Sequence, residues 1–319
     1  MLFVLMTAIF AVTRIMPGDP IRALYGPKIP QELYDEIKHD LGLDKPLLDQ
    51  YVDYITGVLQ GNMGVSSFSH YTVLQEISYA LPVTLELMIF GTFLSIVIGI
   101  LSGAIASMNQ GKPIDLVIRT ASTVSFSIPI FWLSLLLQLF FGRFLGIMPL
   151  SGRIDILMEP TRITGMYTID SILTLNVAAL GNSLWHLILP GLAICSYLSA
   201  VISKITRANM ANVINADFVT VLKAKGLPTR TILYKHVLKN SILPILTITT
   251  MLFAAGLGGS VLIETVFSLP GLGKLILTSI VNRDFPLISG ATTVFAIAVI
   301  ILTTFVDIFH ALIDPRARR

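Results

Sequence analysis

The side chains able to do chemistry in this chain are few, and most stand alone. Three carboxylates fall in or beside long apolar stretches: Glu86, Glu264 and Asp307. A carboxylate at membrane depth is costly, so each is by default a candidate for handling a proton or a cation. Each also has a plainer reading. Glu86 is one turn from Pro82, close enough to an interface to stay hydrated. Glu264 follows a glycine-rich stretch and should sit at the end of an apolar run. Asp307 has Arg316 and Arg318 nearby to neutralise it. Structural pairing is the favoured role for all three, because the acids are scattered and no catalytic pair is spaced in sequence. The five histidines (His39, His70, His186, His236, His310) occupy different segments without ligand spacing, so no metal site is expected. His186 should be an interfacial hydrogen-bonding residue. Cys195 is alone, which excludes an intrachain disulfide and a cysteine metal cluster, and it should be a buried small residue. No His-Glu-x-x-His, Walker A or Gly-x-Ser-x-Gly sequence occurs, so the chain is not expected to be an enzyme or to bind nucleotide.

The strongest local pattern is a basic segment, Asp217 to Pro244. It carries Lys223, Lys225, Arg230, Lys235 and Lys239 against the single acid Asp217. Phe218, Val221 and Leu222 share one helical face, Gly226-Leu227-Pro228 stops that helix, and Thr231 to Asn240 reads as a second helical piece. Such a segment can lie on an anionic leaflet or dock on a partner. Its turn and second helix favour docking.

These residues need elements to position them. Of the 319 residues, 54% are hydrophobic and 13% charged, about half the charge of a soluble domain. The chain is therefore an integral, all-α membrane protein, read as a single transmembrane domain over residues 1–319. The net charge of +3 is small and forms no basic face for nucleic acid. Six spans are expected: Met1 to Met16, Leu81 to Ala106, Ala121 to Phe141 with Pro129 inside, Leu184 to Ser203 with Pro190 inside, Ile242 to Ile263, and Leu287 to Phe309. Met1 to Met16 lacks a basic start and a cleavage site, so it reads as a short span rather than a signal peptide, one that either begins at the very edge of the membrane or is preceded by a few further residues. Lys112, Arg119, the basic segment and the arginines of the 314–319 tail share one side. That side is cytoplasmic, with both termini inside. An extracytoplasmic segment, 17–80, follows the turn Pro17-Gly18-Asp19-Pro20. It should hold two helices with acidic outer faces, one with Leu33, Ile37 and Leu41 on its apolar face, the other with Leu48, Val52, Ile55 and Leu59. The cytoplasmic loop covers 204–241.

Small or polar residues mark a possible path. Ser125 and Ser127 flank Pro129, which frees a backbone carbonyl that serine, water or solute can satisfy. Gly256, Gly258, Gly259 and Ser260 remove side-chain bulk in the fifth span, for close packing or for lining a path.

In order along almost the whole chain stand Pro17-Gly18-Asp19-Pro20, Gly61-Asn62-Met63-Gly64, Leu81 to Leu87, His186 to Pro190, Ala216 to Val219, Ala224-Lys225-Gly226-Leu227, His236 to Asn240, Leu243-Pro244, Glu264 to Gly273, Asp284-Phe285-Pro286 and Asp314-Pro315-Arg316. Together they resemble the permeases of ABC importers, in the dipeptide/oligopeptide/nickel family and its first-permease branch. The Glu-Ala-Ala of the general importer loop would fall at Thr220-Val221-Leu222, so here the loop is identified by Gly226 and its flanks. The resemblance implies a type I permease of six spans in a prokaryotic inner membrane. It implies a second homologous permease, two ATPase subunits that carry ATP and magnesium, and an extracytoplasmic solute-binding protein, with no cofactor on this chain. Asp217, Phe218, Val221, Leu222, Ala224, Lys225, Gly226 and Leu227 would form the ATPase-coupling helix, and the outer segments Pro17 to Tyr79 and Gly142 to Ser183 would help dock the binding protein. Peptides, glutathione and nickel chelates are all solutes that this resemblance admits. A proton-coupled secondary carrier or an intramembrane enzyme is the alternative; either should work without ATPase partners.

Overall fold

Long apolar runs become long helices. The computed structural model describes residues 2–15, 19, 21–22, 26, 28–40 and 42–313. Their regular structure is helical, with a lone antiparallel bridge between Val65 and Thr72. In chain order the helices are α1 (Leu2–Ile15), α2 (Gln31–Asp40), α3 (Leu47–Leu59), α4 (Val73–Met108), α5 (Pro113–Ser127), α6 (Ile130–Leu137), α7 (Tyr167–Leu173), α8 (Val177–Ile214), α9 (Asp217–Ala224), α10 (Leu238–Val266), α11 (Leu272–Asn282) and α12 (Phe285–Ile313). Wider π turns follow α6 (Gln138–Phe144) and precede α10 (Ile232–Val237). By length and composition four helices can cross a bilayer, or five if α5 and the 130–144 arm make one span. At 1.5 Å per residue α1 covers only about 21 Å of a hydrocarbon core of about 30 Å. α8, at 38 residues, runs well beyond the expected fourth span, so residues 204–214 of the expected cytoplasmic loop are helix.

The expected third span, Ala121 to Phe141, is not continuous. α5 stops at Ser127, Ile128 and Pro129 are extended, and the following arm is turned by 101°. Proline has no N–H to continue the ladder, and its ring drives the preceding residue out of the α region. Of the turn expected at Pro17 to Pro20 only Asp19 is among the described residues, and the tail 314–319 lies outside them.

The chain forms two compact bodies. The first comprises residues 1–84 and 270–300. Val73, Ile77 and Ala80 of α4 pack there with Leu272 of α11 and with Leu287 and Ala291 of α12. A Cβ on Gly290 would stand 2.3 Å from Val73 Cγ1, so only glycine permits that approach. Buried Asp284 caps α12, its Oδ1 accepting from Leu287 N at 3.2 Å, while its Oδ2 accepts from Ser66 Oγ at 2.5 Å. With Pro286 in the first turn, this is a strong start signal. The amphipathic reading of α3 needs correction. Ile55 is buried, but Leu48, Val52 and Leu59 are 77%, 56% and 75% exposed. Tyr51 and Tyr54 turn inward instead, against the ring of Phe10, with the Tyr54 hydroxyl 2.7 Å from Thr293 Oγ1. α2 buries no side chain.

The second body comprises residues 85–269 and 301–319. α4 and α8 meet through glycine. A Cβ on Gly99 would lie 2.7 Å from Ile202 Cβ, and one on Gly103 would lie 2.5 Å from the Ser203 carbonyl oxygen. Small residues four apart let two backbones approach closely. The 145–176 connection is ordered by Asp170, which is fully buried and accepts from Thr164 N at 2.7 Å, Thr164 Oγ1 at 2.7 Å and Gly165 N at 3.0 Å. Burial opposes its charge, yet these donors outweigh burial and hold its carboxyl below the ordinary aspartate value. Because the folded value is depressed, the stabilisation is complete above the unfolded value and is lost as pH falls through the folded one. Asp170→Asn should cost ~1–3 kcal/mol at neutral pH by leaving a donor mismatched. Amide exchange at residues 164–174, taken relative to the intrinsic rate at each pH, reads the result: acidification should lower protection in the wild type and change it little in the variant.

Candidate functional site

The basic segment folds as a seated helix. Asp217 opens α9 at its first turn, where a carboxylate suits the positive end of the helix. Val219 is 2% exposed and packs with Met210 of α8, Ala104 of α4, and Ile232 and Val237 of the following π turn. Leu222 and Leu227 join the same cluster. α9 ends in a Schellman motif. Leu227 N donates to Leu222 O at 3.3 Å and Gly226 N to Lys223 O at 2.9 Å, with Gly226 at φ +73°. The apolar face read from the sequence is thereby divided. Leu222 turns inward with Val219, a residue that the sequence reading passed over, while Phe218 (38%) and Val221 (52%) face outward. Ala224, Lys225 and Gly226 are exposed beside them. The result is a short helix anchored by one face, with a second apolar face and lysines left open.

The break at Ile128-Pro129 makes the second feature. A cavity of about 350 Å³ is lined there by Ser127, Ile128, Pro129 and Phe126, by Tyr197 of α8, and by Gly256 and Gly259 of α10. Gly259 has nothing within 4 Å of an added Cβ, whereas one on Gly256 would meet Met88 Cε at 2.7 Å. Ser125, Gly258 and Ser260 are not among the lining residues. Ser260 is buried, its hydroxyl bonded to Leu257 O at 2.9 Å and to Glu264 Oε1 at 3.0 Å. Ser127 Oγ donates to Thr123 O at 2.9 Å, within its own helix.

The isolated acids are placed differently from one another. Glu86 does not sit at an open edge; it is buried, 5% exposed. Its Oε2 accepts from Arg153 Nη2 at 2.6 Å, and its Oε1 accepts from Thr168 N at 2.6 Å and Thr168 Oγ1 at 2.7 Å. The Arg153 guanidinium also donates to Gly165 O at 2.8 Å and lies 3.8 Å from the ring centre of Tyr167. The pairing reading was right for Glu86, but no spacing rule could nominate a partner 67 residues away. Glu264 ends α10 as expected, yet it is fully buried. Asp307 and its expected arginines fall where the side chains are not described. His186 Nδ1 is 3.0 Å from Asn182 O, and Cys195 is buried. Among the described residues no group of three or more His, Cys, Asp or Glu could hold a metal ion. Buried Asp115 and half-buried Arg207 form a further contact that the sequence reading did not anticipate.

Known proteins place this arrangement. Residues 95–319 match the family model "Binding-protein-dependent transport system inner membrane component", and residues 1–88 match the N-terminal region model of such membrane components. The chain is 36% identical over 310 residues to the Di/tripeptide transport system permease protein DppB of Pseudomonas aeruginosa, covering 97% of this chain and 92% of that one. It is 36% identical over 318 residues to the Dipeptide transport system permease protein DppB of Haemophilus influenzae, covering 99% and 95%. With the Probable D,D-dipeptide transport system permease protein DdpB of Escherichia coli it shares 34% over 312 residues, covering 97% and 92%. The chain therefore belongs to the inner-membrane permeases of binding-protein-dependent ABC importers, and is a multi-pass transport subunit that works with separate ATPase and solute-binding proteins rather than an enzyme.

Proposed function

We propose that this permease imports short peptides, di- or tripeptides above all, and that α9 is its coupling helix. The names of its relatives support the solute class. The observation that carries the coupling role is the division of α9: Val219 and Leu222 seat it, while Phe218 and Val221 remain outward. Two neighbouring apolar side chains left outward beside a seated face are available to a partner. On this reading one of the two ATPases grips the Phe218–Val221 face with Asp217, Ala224 and Lys225 at its rim, and ATP-driven closure moves α9 together with its seat. ATP and magnesium stay on those subunits, and this chain binds no cofactor.

The six-crossing topology with both termini inside belongs to the same reading. A second homologous permease would supply the other half of a central path, with Ser127, Pro129, Gly256 and Gly259 on this side of it and Ser125, Gly258 and Ser260 nearby. The outer segments would receive the binding protein. The test is reconstitution of the whole transporter with labelled dipeptide, in a Cys195→Ala background. Uptake should require ATP, and Cys at Ser127 should react with a water-soluble thiol reagent at a rate that changes when ATP is added. ATP-independent peptide uptake, or an unchanging rate at Ser127→Cys in an actively importing complex, overturns the respective half of the reading.

A further inference from the structure

We propose that Asp115 and Arg207 are positioning residues that make α5 and α8 a single lever, carrying the displacement of α9 to the break at Ile128-Pro129. The inference rests on the coupling role proposed for α9. Asp115 lies in the first turn of α5 and is 2% exposed. Arg207 grips it with a fork: Nε donates to Oδ1 at 2.6 Å and Nη2 to Oδ2 at 2.8 Å. Gly111 N adds a third donor to Oδ2 at 3.2 Å. Two-pronged guanidinium–carboxylate contacts fix direction as well as distance.

The position of the pair gives it a mechanical meaning. Arg207 lies one helical turn before Met210, the α8 residue of the buried cluster that Val219 joins. The seat of α9 and the grip on Asp115 are therefore neighbouring turns of one helix. At its other end α5 touches α8 again, where Phe126 stacks on Tyr197 with ring centres 5.2 Å apart and planes 17° apart. Phe126 is eleven residues after Asp115, and Tyr197 is ten residues before Arg207. At 1.5 Å per residue both intervals are about 15 Å, so the antiparallel helices are pinned in register at two separated points. Two such pins prevent both sliding and splaying. Motion imposed near Met210 must then reach Ser127 as rigid-body motion, and the extended Ile128-Pro129 link is where it can be absorbed. A pair that served only stability would have no need of this register, nor of a place between the seated helix and the cavity.

The experiment uses the complete transporter in proteoliposomes and reads dipeptide uptake per ATP hydrolysed. Asp115→Asn keeps shape and removes charge; Arg207→Lys keeps charge and removes the fork. Each should lower uptake per ATP about tenfold, a typical size for coupling between sites, while hydrolysis by the assembled complex persists. Asp115→Cys with Arg207→Cys, in a Cys195→Ala background, should be uncoupled until a short bis-maleimide joins the two thiols, and should then regain uptake. Restoration by a covalent bridge with no charge shows that linkage itself is what matters. Unchanged uptake per ATP in the assembled variants, or failure of the bridge to restore it, overturns the proposal while leaving the coupling role of α9 intact. If neither Asp115→Asn nor Arg207→Lys assembles, the pair is a folding contact and the proposal falls. A wild-type complex that hydrolyses ATP without importing peptide overturns the function reading first, and this inference with it.

Discussion

Replacing Gly226 with valine is expected to separate ATP hydrolysis from uptake in the reconstituted transporter. Gly226 sits at φ +73°, where a β-branched residue is a steric outlier. Nothing lies within 4 Å of a Cβ added there, so neighbouring atoms are not what excludes the side chain. The backbone conformation itself is, at a cost of roughly 1–3 kcal/mol. That conformation returns the chain after α9 so that Leu227 can bond Leu222 O and join the buried cluster. With valine the turn should open, α9 should tilt off Val219, and the Phe218–Val221 face should lose its direction. Uptake per ATP should fall by more than about tenfold, with near-normal amounts of permease in the membrane. Asparagine tolerates the left-handed region, so Gly226→Asn should keep most of the activity. Equal loss in both variants would show that the φ value is not what matters, and normal uptake by Gly226→Val would remove α9 from the coupling path.

Arg153→Ala should produce the largest loss of stability. It leaves the Glu86 carboxylate buried with the Thr168 donors and no counter-charge, and breaking a buried pair in this way costs about 3–5 kcal/mol. It also removes the guanidinium from the Gly165 carbonyl and the Tyr167 ring. The thermal midpoint of the purified permease should drop by several degrees, with the 145–176 connection becoming open to protease first. Adding Glu86→Gln to Arg153→Ala should recover much of the loss, because the stranded charge is the main penalty. No recovery would place the cost in the lost carbonyl and ring contacts. An unchanged midpoint in Arg153→Ala would show that the pair contributes little to holding this segment.

What the sequence by itself determined follows from local chemistry. Apolar runs longer than a bilayer is thick have to be helices in a membrane, because their backbone groups must bond within the segment. Pro129 marked a disturbed helix, and Gly226-Leu227-Pro228 the end of α9. The family was also legible, because its motifs are strings of adjacent residues. Tertiary structure decided whatever depends on which faces meet. Phe218, Val221 and Leu222 share a helical face in sequence, but only the seat formed by Met210, Ile232 and Val237 shows that Leu222 turns in with Val219 while Phe218 and Val221 turn out. Leu48, Val52 and Leu59 looked like a packing face, until Phe10 took Tyr51 and Tyr54 instead. Glu86 and Asp115 could be singled out or passed over on burial cost alone, yet their partners Arg153 and Arg207 lie 67 and 92 residues away. Helical periodicity reports which residues share a side of one element. It holds no information about what another element brings to that side, and ion pairs across helices are set only when the chain packs.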